Sequence, residues 1–190
     1  LPAKSINELI DIAKAKPGQL SFASSGIGAA AHLTTELFMS TTGIKMVHVP
    51  YKGTAPALQD LIGGQINFMM DTPMPAMLPQ VRAGKMRAVG MASDKRISIA
   101  QDIPTLIEQG VQVVGGTWVA LLAPAGTPRP IVDKLSKIVG DAMRRADNRE
   151  RFAQLGMEPV GSTSAELTAF LKNEVAKWAK VIKQANVKID

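Results

Sequence analysis

Apolar residues recur every three or four positions at Ile6, Leu9, Ile10 and Ala13, the stripe of a helix with one face turned inward. Ser5 and Glu8 stand at capping-box spacing at its start, and Pro17-Gly18 ends it. Leu20 to Ala23 then runs continuously small and apolar, the pattern of a buried strand, and Leu33, Leu37 and Phe38 restore the helical period before Gly43. The alternation repeats. Met46 to Val49 reads as a strand and Pro50 to Gly53 as its turn, while Thr54, with Pro56 just inside, opens a helix that buries Ala57, Leu58, Leu61 and Ile62. Ile66 to Met70 is the next strand, and Asp71-Thr72-Pro73 is the loop beyond it. Met74, Met77, Leu78 and Val81 mark a helical face closed by Gly84, and Arg87 to Ala92 is a further strand.

Strands alternating with helices across short connections predict parallel βαβ units joined by right-handed crossovers, an α/β architecture. Further on, Ile103 to Leu106 begins a short helix ending at Gly110, and Thr117 to Ala123 is the most apolar predicted strand, long enough to cross between lobes. Thr127 and Pro128 then start a helix with Ile131, Leu135, Ile138, Val139 and Ala142 on its core face. A short helix over 147–155 and a second capping box, Thr163 to Glu166, lead into a last helix. That helix carries Leu167, Phe170, Leu171, Val175, Trp178, Val181, Ile182 and Ala185 in regular spacing. Few strands remain after residue 123 for these helices to cover.

In an open parallel sheet, ligands bind beyond the carboxyl ends of the strands. Ser24 to Gly28, Pro50 to Thr54 and Asp71 to Pro73 all fall at that edge. The first loop reads as an anion cradle, since Gly26 and Gly28 permit tight backbone angles and Ala29 onward starts a helix. A helix N-terminus presents unpaired N–H groups and about half a positive charge. Ser24, Ser25, Gly26, Gly28, Ala29 and Ala30 are therefore the candidate contacts for a carboxylate or phosphate, the serines having local capping of the turn as their other role. Tyr51, Lys52 and Gly53 form the second loop, from which the Tyr hydroxyl and the Lys charge could close over a ligand; a solvated surface role suits Lys52 equally. Asp71 and Thr72 form the third. Asp71 suits orienting a water, pairing with Lys52 or meeting a ligand amine or hydroxyl, and also suits capping the helix after Pro73.

Composition narrows the chemistry. The 190 residues include 22 Lys plus Arg against 16 Asp plus Glu, a net charge of +6 that favours an anionic ligand. The basic residues form no long run and aromatics are only 4%, which argues against nucleic acid as a partner. No apolar run approaches the length of a transmembrane helix. There is no cysteine, so disulfides and thiolate chemistry are excluded. His32 and His48 lack zinc-site spacing, no metal or cofactor is expected, and His32 is expected to pack within its helix and His48 in the core. The GxSxG elbow of hydrolases is absent, and Gly26-Ile27-Gly28 fails the dinucleotide fingerprint because residue 31 is Ala. The ten methionines read as core filler. The chain begins at Leu1 without Met, as in a processed product or part of something longer.

Four linked motifs then carry a resemblance: Ser21 to Gly28, Val49-Pro50-Tyr51-Lys52-Gly53, Asp71, and Leu121-Leu122-Ala123-Pro124-Ala125-Gly126-Thr127-Pro128. Together with Asp102-Ile103-Pro104-Thr105 and Trp178 they closely resemble, over the whole chain in order, the Bug family, extracytoplasmic solute-binding proteins of tripartite tricarboxylate transporters. The resemblance implies a type II periplasmic binding protein-like fold and capture of a small organic carboxylate in the periplasm, without enzymatic turnover. It also implies delivery to the membrane permease subunits of the transporter. Members carry a further N-terminal portion with a signal peptide and most of the first lobe. Residues 1–115 would thus be the ligand-binding second lobe, one nearly complete doubly wound unit. Residues 116–190 would be the crossover strand and C-terminal helices of the incomplete first lobe, leaving helices uncovered and the chain prone to self-association. Two other classes stand beside this reading, a nucleotide-dependent α/β enzyme and the ligand-binding effector domain of a transcriptional regulator.

Overall fold

The computed structural model describes residues 1–71 and 74–188, with the side chain of Met74 also outside the described part. Chain order is α1 (Ile6–Ala15), β1 (Ser21–Ser24), α2 (Ala30–Thr42), β2 (Val47–Pro50), α3 (Thr54–Ile62), β3 (Phe68–Met69) and α4 (Met74–Arg82). After a 3-10 turn at Ser98–Ala100 come α5 (Arg129–Arg144), α6 (Ala146–Gln154) and α7 (Ser164–Ala185). The described strands form one three-stranded parallel sheet in the order β2-β1-β3. The α/β class is thus as expected.

Local chemistry explains the starts and stops. The Ser5 hydroxyl accepts the Glu8 N–H at 3.2 Å, and the Glu8 carboxylate reaches back to the Lys4 N–H at 2.8 Å, one residue earlier than an ideal box. At the other end of the chain the box is fully reciprocal. Glu166 accepts the Thr163 N–H at 2.7 Å, and Thr163 Oγ1 accepts the Glu166 N–H at 3.3 Å. Gly43, in the left-handed conformation, closes α2 with its N–H on the Met39 carbonyl. Thr54 is the first helical residue of α3, and Gly53, at φ 107°, takes the cap position expected for it. Pro128 likewise caps α5, while the Thr127 hydroxyl turns back to the Pro124 carbonyl.

The chain divides into two compact units. One comprises Leu1–Arg96, Ala100–Thr117 and the chain from Val181; the other comprises Ile97–Ile99 and Trp118–Lys180. The first holds the core. Phe22 of β1 is fully enclosed, joined by Ile6, Leu9 and Ala13 of α1, Phe38 of α2, and Leu106 and Val113, while Ala23, also fully enclosed, clusters with Ala57, Ile66 and Met69. Packing there is close enough that a Cβ on Gly115 would lie 2.4 Å from Thr34 Oγ1.

Several expected strands are not formed. Arg87 to Ala92 makes no ladder, only an isolated bridge between Met91 and Thr105, because no described strand lies alongside to continue it. Residues 103–110 are turns rather than a helix: Thr105 and Glu108 make the reciprocal bonds of a capping box, but the bonds that follow close three-residue turns, Gln109 N–H to Leu106 and Gly110 N–H to Ile107, and Gly110 at φ 86° ends the run within one turn. Thr117 to Ala123 is irregular and exposed, with Val119 at 83% and Leu122 at 66% of full accessibility. An apolar run supplies strand propensity, but a strand exists only when another accepts its hydrogen bonds. The expected core face of α5 is also open, with Ile131, Leu135 and Ile138 exposed, and on α7 Phe170 and Val175 are exposed while Val181 is buried. Met77, Leu78 and Val81 are half-buried on α4, whose interior holds Pro79.

Candidate anion-binding site

Parallel pairing of β1 with β2 continues past both strands and joins their loops. The Tyr51 N–H donates to the Ser24 carbonyl at 3.0 Å, and the Gly53 N–H donates to the Ser25 carbonyl at 3.1 Å. The first two predicted loops are therefore one hydrogen-bonded surface at the carboxyl edge of the sheet. The third reaches it through Asp71, whose Oδ2 accepts the Thr54 hydroxyl at the start of α3 at 2.8 Å. Thr72 lies outside the described residues.

The α2 N-terminus sits in this surface. Its cap residue, Ala29, has no side chain able to satisfy the helix donors, and the first turn contains no acid. Gly28, at φ 74°, makes the left-handed step into the helix that a side chain would strain. Two of the expected donors are already used: the Gly28 N–H donates to His32 Nδ1 at 3.1 Å, and the Ala29 N–H to the Gly26 carbonyl at 3.3 Å. The donors left for an anion are those of the first helical turn proper, beginning at Ala30, which lack helical partners by construction. The second helix start in the surface differs, since the carboxylate of Asp71 already stands against α3. An incoming anion is favoured at α2 and opposed at α3.

The side chains divide by role. Ser24 is fully buried, and its Oγ donates to the Gly26 carbonyl at 2.9 Å, accepts the Gly26 N–H at 3.3 Å and lies 2.7 Å from His48 Nε2. It ties the turn together from inside, the local role open to it in the sequence. Ser25, Gly26, Gly28, Ala29 and Ala30 are half-buried. The Tyr51 hydroxyl donates to Asp60 on α3 at 2.7 Å, and that bond holds the phenol proton above its ordinary pKa. Tyr51 therefore braces the loop with its hydroxyl engaged. Lys52 is exposed, with no ion-pair partner among the described residues.

The two histidines were the feature hardest to see in the sequence. Register sets Phe22 of β1 beside His48 of β2, and His32 in the first turn of α2 stacks on His48 with ring centroids 3.8 Å apart and planes 11° apart. Burial, aided by the nearby His32, pushes the His48 imidazole down to about 4 against a smaller upward pull from Glu36. One signal could have linked them: a Gly-x-x-x-His spacing from residue 28 to 32 returns an imidazole to the loop's own backbone. No cluster of potential metal ligands occurs among the described residues.

A parallel α/β unit with an uncapped helix N-terminus in a glycine-bearing surface at the strand ends has the makings of a small-anion binding module. Residues 1–187 match the model of the tripartite tricarboxylate transporter family receptor, and the chain belongs to that family. It is 35% identical over 190 residues to Protein BugT of Bordetella pertussis, covering 100% of this chain and 58% of BugT. Among solved structures it is similar to R. palustris Rpa4515 with adipate, at 33% identity and TM-score 0.79, over 98% of this chain and 62% of that one. It is also similar to the periplasmic binding protein BugD, at 36% identity and TM-score 0.75, over 99% of this chain and 64% of BugD. The fold is that of periplasmic binding proteins, and the chain spans about three-fifths of the length of each of these three relatives.

Proposed function

We propose that this chain is the carboxylate-binding portion of a periplasmic solute-binding receptor, which captures a small organic carboxylate for a tripartite tricarboxylate-type transporter and performs no chemistry on it. The uncapped α2 N-terminus carries this reading, because, of the α2 and α3 starts described in the site surface, it is the one without an acid against it. One ligand carboxylate would rest on the N–H groups beginning at Ala30, with Ser25 and Gly26 beneath it, and the exposed Lys52 adding charge from above. Asp71 and Thr72 would face the more distant polar groups of the ligand. The family and the relative whose structure carries adipate support the ligand class. Permease subunits in the membrane are the partners that receive the solute, and no described helix is itself long and apolar enough to cross a membrane.

Residues 1–115 form the ligand-binding lobe in this reading, and residues 116–190 return to the other lobe. Closure of a second wall over the ligand would supply the remaining affinity, since one helix terminus contributes only about 0.3–2 kcal/mol. Calorimetric titration with succinate, malate and adipate, beside ATP and NAD as controls, tests the reading. Binding of at least one acid, recovered unchanged after prolonged incubation, is the expected result. Nucleotide binding without acid binding, or conversion of the acid, would overturn it.

A further inference from the structure

The rings of Phe22, His48 and His32 make a continuous pile beneath the loop that forms the proposed anion site. Phe22 and His48 centroids are 4.8 Å apart, those of His48 and His32 are 3.8 Å apart, and neither step departs from parallel by more than 18°. Both imidazoles hold the loop by their nitrogens. His32 accepts the Gly28 N–H at Nδ1 and directs Nε2 toward Glu36 Oε1 at 3.5 Å. His48 Nε2 meets Ser24 Oγ at 2.7 Å, and that oxygen in turn holds both the N–H and the carbonyl of Gly26. The side-chain hydrogen bonds to the backbone of Gly26 and Gly28 therefore lead to the two stacked histidines, directly at Gly28 and through Ser24 at Gly26.

We propose that His32 and His48 are positioning residues for the anion site: a stacked pair of neutral imidazoles that withdraws the Gly28 N–H from the ligand and fixes the turn, so that the donors beginning at Ala30 converge on the carboxylate. The inference rests on the binding function proposed above. Histidines beside an anion site are ordinarily expected to act as cations, and here the geometry requires the reverse. A nitrogen that accepts an N–H carries no proton, so His32 is the Nε2–H tautomer, with Glu36 to receive that proton. A charge on either ring would face the other ring at 3.8 Å, and the desolvation that holds His48 down to about 4 acts in the same sense. The charged or titratable groups against the pair are Glu36 from α2 and each ring against the other; β1 contributes only Phe22 and Ser24.

The roles separate by isosteric replacement. In His32→Asn the amide oxygen occupies the place of Nδ1 and can still accept the Gly28 N–H; in His32→Gln the amide nitrogen reaches the place of Nε2 and the Nδ1 acceptor is gone. Adipate titrated into the natural protein and both variants should show His32→Asn within threefold of wild type and His32→Gln weakened tenfold or more, with equal thermal midpoints for the two. Wild-type affinity should stay level from pH 7.5 to 6. Equal losses in both variants, or affinity that climbs as pH falls through 6.5, would overturn the proposal by showing a packing or cationic role. A second measurement needs no ligand. Nitrogen NMR of His32 should show an unprotonated Nδ1 coupled across the hydrogen bond to the Gly28 amide, and a protonated Nδ1 would overturn the proposal whether or not adipate binds. Absence of binding by every acid with that coupling intact would instead count against the function on which the proposal rests.

Discussion

Helices α1 and α5 read alike in the sequence and end in opposite circumstances. Each shows an apolar stripe at helical spacing, yet Ile6, Leu9, Ile10 and Ala13 of α1 are buried, whereas Ile131, Leu135 and Ile138 of α5 remain about half accessible. The difference lies in what each unit offers as cover. The first contains the three-stranded sheet, whose β1 contributes the fully enclosed Phe22 to the same core as the α1 stripe. Among the described residues, the second contains helices and irregular chain only. Periodicity names the face a helix will bury and says nothing about whether a surface exists to bury it.

The strongest way to break this comparison is to truncate one residue in each unit. Phe22→Ala removes a wholly buried ring and should cost about 3–5 kcal/mol in amide protection of β1, whereas Leu135→Ala, already exposed, should change protection of α5 by less than about 1 kcal/mol. Equal losses would show that the two units share one core. Acid should sharpen the contrast with a smaller effect. In the unfolded chain His48 returns to its ordinary value near 6.5, while in the fold it is held to about 4. Between those values the unfolded state binds more protons, so β1 protection should fall as pH drops from 6.5 to 4. In the second unit the relevant groups are carboxylates, Asp141 and Asp147, held below their ordinary range by Lys137 and Arg145 respectively. Their contribution is present above the unfolded value of 3.8 and is lost only as pH falls through their lowered values. Protection of α5 should therefore outlast that of β1 on acidification, and the reverse order would refute the assignment. The smallest effect on stability should come from the double variant Ile131→Glu, Ile138→Glu. It should leave helix content unchanged and abolish the self-association that we expect of the exposed face, read by light scattering. A wild-type chain that stays monomeric at all concentrations would contradict that expectation.

Legibility in the sequence followed the range of the interaction concerned. The helix of residues 6–15, the last helix with its reciprocal box and the glycine turn at 24–28 all depend on contacts within a few residues, and each appears where the pattern put it. The convergence of the loops at 24–28 and 50–54 also followed, because parallel βαβ units leave only one edge for them. The strand expected at 117–123 did not, since strand formation depends on a partner elsewhere in the chain.

By itself, the sequence determined the α/β order, the caps and turns, the charge surplus and the family, all of which reside in short-range pattern or in motif succession. Tertiary structure alone decided which polar groups of the site are spent and which stand ready. Ser24 went inward to Gly26 and His48, the Tyr51 hydroxyl went to Asp60, and the Gly28 N–H went to His32. The bonds of Ser24 to Gly26 and of Gly28 to His32 lie within a few residues, while those of Ser24 to His48 and Tyr51 to Asp60 are set by register and packing, which no local spacing encodes. Hydrogen-bond donors are few and each is used once, so the site's chemistry is what remains after the fold has taken its share.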